Sequence, residues 1–566
     1  MRHNSIQRAM RMHGLCIGCA CFVSPICRAV SVDETGLPCN RFGMTTRADF
    51  EPLSPAETLL LETCGGPERV TLAGGGLPDA ASSDNTIRGA LLRELILGSL
   101  DISLNPKGLR LRGAWISGPL DLQGTDCSRD ITLGHCVLDG PLNLVNAHLR
   151  GLHLMGCQTH GIAADNASFS GSFYIRGETT ISGEVALAGT RISGDLQICG
   201  AVIQSKDQDA LFAPSLRVEG SVFLGNYPYS NGVTTLVTEG MLFFSSAHVA
   251  HDFFISHTSI ALSADPLSDG VFSASEEHGS NIALSLARAH VGGILYLQNN
   301  QITKGVLNLA GAVVARLTDE PAEPGANYDI RLDGFRYGEF SRHTDTSPKA
   351  RLDWLARRPK DLPFTAQPYE HLANVLTTMG HRTDAQTVLM RKEQLLRSEN
   401  RRLFAISSGS RLRSFAMLVG DVLMRVSIGY GYRPGRAVGF AILLIGCLAL
   451  FYQKVWNDGD MAPNAAPILV SQGWINATLS YPTHPAAHWS APGQPGQDYE
   501  TFQSVAYAAD LVIPLVSFGQ EEAWAPSTSR GPMGRIGWWL RWVAKLLGWI
   551  VTALAAAALT GVIRKD

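Results

Sequence analysis

The sequence predicts a mainly β protein with α-helical parts: a right-handed parallel β-helix (solenoid), then an αα-hairpin and a C-terminal two-helix transmembrane region. Three observations predict this fold. A Gly-x-Leu-x-Leu phrase recurs through the middle of the chain, two long apolar runs lie near its end, and the composition is rich in glycine and poor in charge. The chain has 566 residues with 57 Gly, 17% charged residues and a net charge of −3. These values argue against a disordered chain and against a general nucleic-acid binder.

Changes in these patterns give the expected domain boundaries. They are an N-terminal extension (1–43), a short helical cap (44–100), the solenoid (101–340), a linker with the αα-hairpin (341–408), an amphipathic juxtamembrane segment (409–436), transmembrane helix 1 (437–456), an extracytoplasmic loop (457–535) and transmembrane helix 2 (536–563). A helical pattern begins just after Met44, so we expect translation to start there. A signal peptide and a metal site at Cys16-x-x-Cys19 are the alternatives for residues 1–43.

Two short amphipathic helices are predicted before the repeats. Ser54 and Pro55 supply an N-cap and a first helical residue, with Glu57 in the first turn. A second helical pattern runs from Arg88 to Leu97. Because a solenoid needs a cap over its open end, we expect these helices to cover the first coil.

Two phrases alternate through the predicted solenoid. One is Ala-x-Ile/Val, as in Ala114-Trp-Ile116; the other is Gly followed by apolar-x-apolar, beginning at Gly118, Gly140, Gly151, Gly171, Gly183, Gly194, Gly220, Gly240, Gly293 and Gly305. Apolar-x-apolar has the period of a strand with one buried face, and glycine permits a corner that a Cβ would obstruct. Two glycine phrases fit each coil of about 20–22 residues, so the coils stack into a parallel β-helix. The alternative, a two-layer sandwich, would need hairpin turns such as Asn-Gly between its strands, and the sequence has a single Asn-Gly, at Asn231-Gly232.

The region after the solenoid predicts an αα-hairpin. Residues 367–379 and 383–396 both carry helical patterns, and Gly380 lies between them. The pair resembles one unit of a tetratricopeptide-type array.

Two apolar runs predict membrane-spanning helices. They cover 437–452 and 546–563, and the second follows the aromatic residues Trp538, Trp539 and Trp542. Each run approaches the roughly 20 residues that cross the hydrocarbon core. Lys545, at the edge of the second run, is expected to extend towards the membrane interface.

The distribution of basic residues predicts the orientation in the membrane. Seven arginines lie between Arg401 and Arg436, whereas 457–526 contains no Lys or Arg. The positive-inside rule therefore predicts a bacterial inner (plasma) membrane protein with the solenoid and both termini in the cytoplasm and the loop 457–535 in the periplasm. The basic, amphipathic segment 410–429 is expected to lie along the inner leaflet.

The outward positions of the solenoid give a candidate binding face. The middle residue of each Leu-x-Leu phrase should point outward. Four of these residues are aromatic: Tyr174, Phe223, Phe243 and Tyr296. They can form a flat face for a sugar chain or a protein; the alternative is that extruded loops or a second copy of the chain cover them.

The sequence offers no catalytic motif. It has no Walker loop, no dinucleotide-binding GxGxxG, no HExxH and no GxSxG. We therefore expect no catalytic residue, no metal and no cofactor. His148, His248 and His290 share the Ala-His-apolar phrase but are far apart in sequence, which argues against a metal site. The cysteines after residue 43 lie mostly on apolar periods and are expected to be small buried hydrophobes.

The segment before the second span has a different character. Residues 505–518 are too few to cross a membrane and contain Asp510 and Pro514, so they predict a re-entrant or interfacial helix. Span, half-helix, glycine turn and span is also the order of a two-helix channel subunit, although no Thr-Val-Gly-Tyr-Gly filter is present. Asp510, Glu521 and Glu522 are the candidate pore or loop residues.

Several motifs together resemble a group of uncharacterised bacterial membrane proteins with pentapeptide-like or bactofilin-like solenoid repeats. They are the repeat phrases, Gln367-Pro-Tyr-Glu-His-Leu, Tyr430-Gly-Tyr-Arg-Pro and Asp510-Leu-Val-Ile-Pro-Leu with the following Gly519-Gln-Glu. The resemblance covers about residues 50–566. Some of these proteins carry the description membrane-associated oxidoreductase, but the resemblance implies no catalytic residues.

The function predicted from these features is a non-catalytic, membrane-anchored scaffold or binding protein. Its expected partners are the lipid bilayer and a protein or a second copy of the chain, with no nucleic acid. Two alternatives remain open: a membrane-associated oxidoreductase, on the resemblance alone, and a two-helix ion channel-like protein with a cytoplasmic solenoid.

Overall fold

A parallel β-solenoid of about nine turns forms the middle of the chain, and this confirms the predicted fold class. The computed structural model describes residues 46–205, 209–262, 281–321, 328–360, 362–408, 411–427, 429–433 and 435–559. The predicted extension 1–43 and the end of predicted transmembrane helix 2 lie outside the described residues.

Two helices and two short strands close the N-terminal end of the solenoid. Helix α1 (Pro55–Thr63) begins with a capping box, in which Ser54 and Glu57 each accept the other's backbone N–H. Helix α2 covers Gly89–Leu97. The strands, Val70–Thr71 and Thr86–Arg88, pair with the first coil. An ion pair of 2.7 Å between the Arg88 guanidinium and the Glu57 carboxylate joins α1 to the strand Thr86–Arg88.

Each coil of the solenoid has four short sides, and every side pairs in parallel with the same side of the next coil. The first side contains Trp115–Ser117, Val137–Leu138, Gln158–Thr159, Leu236–Glu239, Thr258–Ala261 and Gln301–Ile302; the second contains Leu120–Asp121, Leu142–Asn143, Ile162–Ala163, Val185–Ala186, Leu211–Phe212, Leu242–Phe243, Ile282–Ser285, Gly305–Asn308 and Tyr328–Arg331. The third contains Ser168–Phe169, Arg191–Ile192, Arg217–Val218 and His248–Val249; the fourth contains Leu109–Arg112, Val222–Gly225 and Phe253–Ser256.

Some strands turn a corner and serve two sides. Asp126–Gly134, His148–Met155, His290–Gln298, Val313–Asp319 and Arg336–Phe340 join the third side to the fourth, and Phe173–Ile181 and Leu196–Gln204 join the fourth side to the next coil's first side. The glycine phrases thus lie on the second and fourth sides, and the alanine phrases on the first and third. Their Leu, Ile, Val and Ala side chains form one continuous core from Ala56 to Val388.

The length of a coil changes along the solenoid. Leu111 pairs with Leu133 and Leu133 with Leu154, which are steps of 22 and 21 residues, as predicted. Later coils are longer, with steps of 26, 31 and 42 residues from Ile198 to Leu224, Ile255 and Leu297. The sides before and after the longer segments still pair in parallel with the neighbouring coils.

Glycine is required at the corners for two different reasons. Gly118 has φ +74°, a left-handed conformation that disfavours a side chain. At Gly183, by contrast, a Cβ would lie 2.2 Å from the carbonyl oxygen of His160 in the preceding coil. Close stacking of coils, as much as the turn itself, therefore selects the repeated glycine.

Three helices close the C-terminal end of the solenoid. Helix α3 (Pro348–Ala356) buries Arg351, whose guanidinium donates to the carboxylate of Asp319 at 2.7 and 2.9 Å. Helices α4 (Gln367–Thr378) and α5 (Arg382–Ser408) form the predicted hairpin, with Gly380 at φ +92° between them. Helix α4 packs on the last coil through His371, whose Nε2 accepts the backbone N–H of Tyr337 at 2.9 Å.

The rest of the chain is helical. Helix α6 (Arg411–Ser427) and a short turn (Gly429–Gly431) precede α7 (Gly435–Asn457), and α13 (Pro532–Leu559) ends the described chain. Two helices here are long and apolar enough to cross a membrane, over Gly435–Asn457 and Pro532–Ala557. Within an apolar stretch of 18 residues in each helix, only 22% and 17% is buried. Between them lie α8 (Ala466–Leu469), α9 (Gln472–Ser480), α10 (Pro485–Trp489), α11 (Ser504–Val512), α12 (Gln520–Ala523) and the antiparallel strands Met461–Pro463 and Trp524–Pro526.

The segment between the two candidate spans folds around its own aromatic core. Trp474, Trp489 and Trp524 are buried in it together with Tyr452 and Tyr507. The Asp460 carboxylate accepts the backbone N–H of Gly534 at 2.8 Å, in the first turn of α13. This core therefore ties the ends of both candidate spans together.

Candidate functional site

An outward column on the fourth side, here called the aromatic ladder, brings predicted binding residues together. In successive coils it consists of His153, Tyr174, Gln197, Phe223, Phe254 and Tyr296. The column exists because parallel, in-register coils place the same outward position of each strand directly above the next. A repeat that alternates apolar and outward residues thus builds a continuous face.

Ring contacts run along the ladder. The rings of Phe223 and Phe254 stack with centroids 5.0 Å apart, and Tyr296 follows at 5.4 Å. His153 stacks on Tyr174 at 4.8 Å. Burial lowers the pKa of His153, which favours the neutral ring in this stack.

A loop covers the middle of the ladder. Tyr227 and Tyr229 meet the Phe223 ring edge-on at 5.1 and 6.5 Å, and Phe223 is only 4% exposed. The guanidinium of Arg176 lies between the rings of Tyr174 and Tyr227, at 4.3 and 4.8 Å from their centroids. This covering matches the alternative reading of the sequence at Phe223, and it leaves Phe254 and Tyr296 as the partly exposed end of the ladder.

The four aromatic residues predicted as one face lie on two different sides. Tyr174, Phe223 and Tyr296 share the ladder, whereas Phe243 lies on the second side, where its ring stacks on Phe212 at 5.5 Å. The Leu-x-Leu phrase occurs on both sides, so the phrase alone did not separate them. Sequence reasoning missed Phe254 because its phrase, Phe253-Phe-Ile, follows Asp252 rather than a glycine.

Two histidines that the sequence separates are neighbours. His248 and His290 pair in successive coils and their rings stack at 4.9 Å, while His148 lies several coils away. The 42-residue step between these coils hid their contact from the sequence. Among the described residues, no group of three or more His, Cys, Asp or Glu side chains is arranged to hold a metal ion.

Five described cysteines are buried, as predicted, and Cys447 is exposed. Cys136 and Cys157 occupy equivalent positions in successive coils. The Cys157 thiol and burial raise the pKa of Cys136 well above its ordinary value, so Cys136 favours the neutral thiol. The signal that could have found this pair is their common place just after a corner, at Gly134-His-Cys and Gly156-Cys.

Three carboxyl groups gather beside the second side. Burial and the charges of Asp209 and Asp165 raise the pKa of Glu184 to about 8. Burial also raises the pKa of Asp209 to about 7 and that of Asp165, although Asp165 accepts the N–H of Ala188 at 2.9 Å. Crowded, desolvated carboxyl groups retain protons near neutral pH. The three residues lie in different coils, so no local sequence pattern indicates that they are neighbours.

The segment before α13 forms a hairpin, here defined as Ser504–Ala523. Its helix, α11, covers the first part of the predicted 505–518 segment and ends before Pro514. Tyr507 packs on Tyr452 of α7 at 4.7 Å, and Gly548 of α13 has no room for a Cβ, which would lie 2.4 Å from the Val512 carbonyl oxygen. The helix is therefore enclosed between both candidate spans.

Contacts between α7 and α13 show how deep the hairpin reaches. At one end the Tyr452 hydroxyl donates to the Gly537 carbonyl at 2.9 Å, and at the other Ala437 and Val551 share a small apolar cluster. Gly548, which touches the hairpin, lies much closer to the second contact than to the first. The hairpin thus extends beyond the middle of the helix pair.

The predicted pore residues have different roles in the hairpin. The Asp510 carboxylate accepts the backbone N–H groups of Phe518, Gln520 and Glu521, so it holds the return of the chain. Glu521 forms ion pairs with Lys545 and, at 3.7 Å, with Arg541 of α13. Lys545 therefore pairs with a carboxylate within the helix pair, where the sequence predicted that it would extend to the interface. Glu522 is exposed.

No protein-family model, no curated protein and no solved structure matches this chain.

Proposed function

We propose that this chain is a non-catalytic scaffold anchored in a bacterial inner membrane by α7 and α13, with a cytoplasmic solenoid that binds a protein partner. Two long, largely exposed apolar helices on the same chain as a solenoid support the anchor. The arginines before α7 and the lack of Lys and Arg in 457–526 support a cytoplasmic solenoid.

The aromatic ladder carries the binding part of this proposal. Phe254 and Tyr296 are adjacent rings at its partly exposed end, on a rigid stack of coils. Preordered aromatic side chains lose little conformational entropy on binding and dominate many protein interfaces. Arg176, held between Tyr174 and Tyr227, illustrates that this side also accommodates guanidinium groups.

Topology is tested with alkaline phosphatase, which is active only in the periplasm. We expect activity for an insertion after Gly493, an exposed turn residue between the spans, and none for a fusion after Asp566. Activity of the Asp566 fusion would overturn the cytoplasmic assignment.

Binding is tested with a photo-crosslinking phenylalanine analogue at Tyr296 in growing cells. The matched control carries it at Asp121, an exposed outward residue on the second side. We expect a discrete crosslinked species from position 296 alone, and a shift of about one chain mass would identify a second copy. Equal crosslinking at both positions, or none at 296, would overturn the binding face. A flavin, haem or iron–sulfur absorbance in the purified chain would overturn the non-catalytic role.

The hairpin favours a second candidate function, ion conduction by an assembly of two-helix subunits. The supporting observation is the ion pair of Glu521 with Lys545 and Arg541 inside the helix pair, since ionisable groups at membrane depth are costly and usually functional. Proteoliposomes loaded with a K⁺-sensitive or Cl⁻-sensitive dye test it. Flux that is lost in Glu521→Gln and kept in Glu522→Gln would support conduction, and no flux from the unmodified chain would refute it.

A further inference from the structure

Helix α6 carries an apolar stripe that nothing in the described chain covers. Its large apolar side chains are 46% to 63% exposed and recur at spacings of three or four residues: Phe415, Leu418, Val419, Val422 and Val426. That spacing puts them on one face of the helix. An exposed apolar face of this length is costly in water.

The opposite edge of α6 is fixed to the rest of the protein. The Asp421 carboxylate accepts from the guanidinium of Arg401 on α5 at 2.6 Å, and from the hydroxyl of Tyr430 in the turn before α7 at 3.0 Å. Arg397 lies 3.8 Å from the same carboxylate. These contacts orient the helix so that its apolar stripe faces away from α5.

The stripe lies beside the start of the first candidate span and among basic groups. The turn Gly429–Gly431 and then α7 follow α6 directly. Arg425, which shares a helix edge with Leu418 and Val422, and Arg436 in the first turn of α7 are exposed, and in the described part of the chain neither has a carboxylate within ion-pair distance. Apolar side chains edged by free guanidinium groups match the boundary between acyl chains and anionic headgroups.

We propose that α6 is an interfacial helix that binds acidic phospholipids: its stripe enters the acyl boundary, and Arg425 and the neighbouring Arg436 contact lipid phosphates. The continuity of α6 with a candidate span favours lipid over a protein occupant. The inference rests on the proposed membrane anchor. It adds a lipid class and names the surface that recognises it.

The test uses the full chain in nanodiscs, with an environment-sensitive nitrobenzoxadiazole label at Val419→Cys. The matched control is Gly420→Cys, one residue away, where a Cβ meets nothing within 4 Å. Cys447 and the five cysteines of residues 1–43 are replaced by serine, since the other five are buried. The discs contain phosphatidylcholine and phosphatidylglycerol, and either one carries brominated acyl chains that quench the label on contact.

We expect quenching at position 419 to be at least twofold stronger than at 420. It should also be at least twofold stronger with brominated phosphatidylglycerol than with brominated phosphatidylcholine, and Arg425→Gln/Arg436→Gln should bring that ratio close to one. A chain that does not co-elute with nanodiscs overturns the anchor and this inference together. A chain that co-elutes but shows equal quenching at 419 and 420, or no preference for the acidic lipid, overturns this inference alone.

Discussion

Replacing Glu184 with glutamine should make the solenoid more stable at alkaline pH. The folded chain raises the pKa of this carboxyl from 4.5 to about 8, through burial and the charges of Asp209 and Asp165. The folded state therefore binds this proton more tightly than the unfolded state does. Its contribution to stability is complete below about pH 4.5 and is lost as the pH rises through about 8. Glutamine has nearly the same shape and carries no charge at any pH.

The size of the effect follows from the shift. A shift from 4.5 to about 8 corresponds to at most about 5 kcal/mol, at about 1.4 kcal/mol per pKa unit. Because the side chain keeps part of its solvent contact, screening lowers the expected gain to roughly 2 kcal/mol. For a domain of the size of the solenoid (101–340), that gain in the free energy of unfolding raises the unfolding temperature by about 4–8 °C.

The assay is thermal unfolding of the full chain in detergent, followed by circular dichroism between pH 5 and pH 9. Glu184→Gln and the unmodified chain should unfold at similar temperatures at pH 5 and diverge progressively towards pH 9. Glu219→Gln, which removes an exposed carboxyl from the next coil, is the control and should follow the unmodified chain. Parallel curves for Glu184→Gln and the unmodified chain would refute the reasoning.

Three further substitutions test other contacts. Gly225→Ala should destabilise the solenoid by about 3 kcal/mol in urea unfolding, because its Cβ would lie 2.0 Å from the Ser256 carbonyl oxygen. Gly134→Ala is the control: its Cβ would have no close contact, so it should cost less than about 1 kcal/mol. Arg351→Ala should cost about 3–5 kcal/mol in the same assay, since it leaves the Asp319 carboxylate buried without its guanidinium; a cost below about 1 kcal/mol would contradict this. Asp510→Ala removes the acceptor of three backbone N–H groups, so limited proteolysis should cut the hairpin at least tenfold faster, and an unchanged rate would show that another contact holds it.

The repeat made the solenoid predictable, and its irregular coils limited the prediction of its surface. A two-residue apolar period with a corner glycine specifies a strand and its buried face from local sequence alone. Which outward residues meet depends on the length of every coil between them. The 42-residue step that joins His248 to His290 hid that contact, and the missing glycine before Phe253 hid Phe254.

Side-chain partners in the two candidate spans and in the segment between them were harder to predict. The sequence identified Asp510 and Glu521 as unusual charges in an apolar region, but their roles depend on how the chain returns after Pro514. Asp510 is occupied by backbone N–H groups and Glu521 by Lys545. Tertiary geometry of this kind leaves no periodic trace in the sequence.

Helix α5 connects the end of the solenoid to the helices that carry the first candidate span. Its first turns, at Ala385 and Val388, belong to the continuous solenoid core, and its second half reaches the Asp421 joint with α6. Its 27 residues measure about 40 Å at about 1.5 Å per residue. The turn before α7 returns to the first half of α5, where the Arg433 guanidinium donates to the Thr387 hydroxyl at 3.2 Å. A force on the first candidate span is therefore transmitted to α5 at two points, beside the solenoid core at Thr387 and at its far end through Asp421.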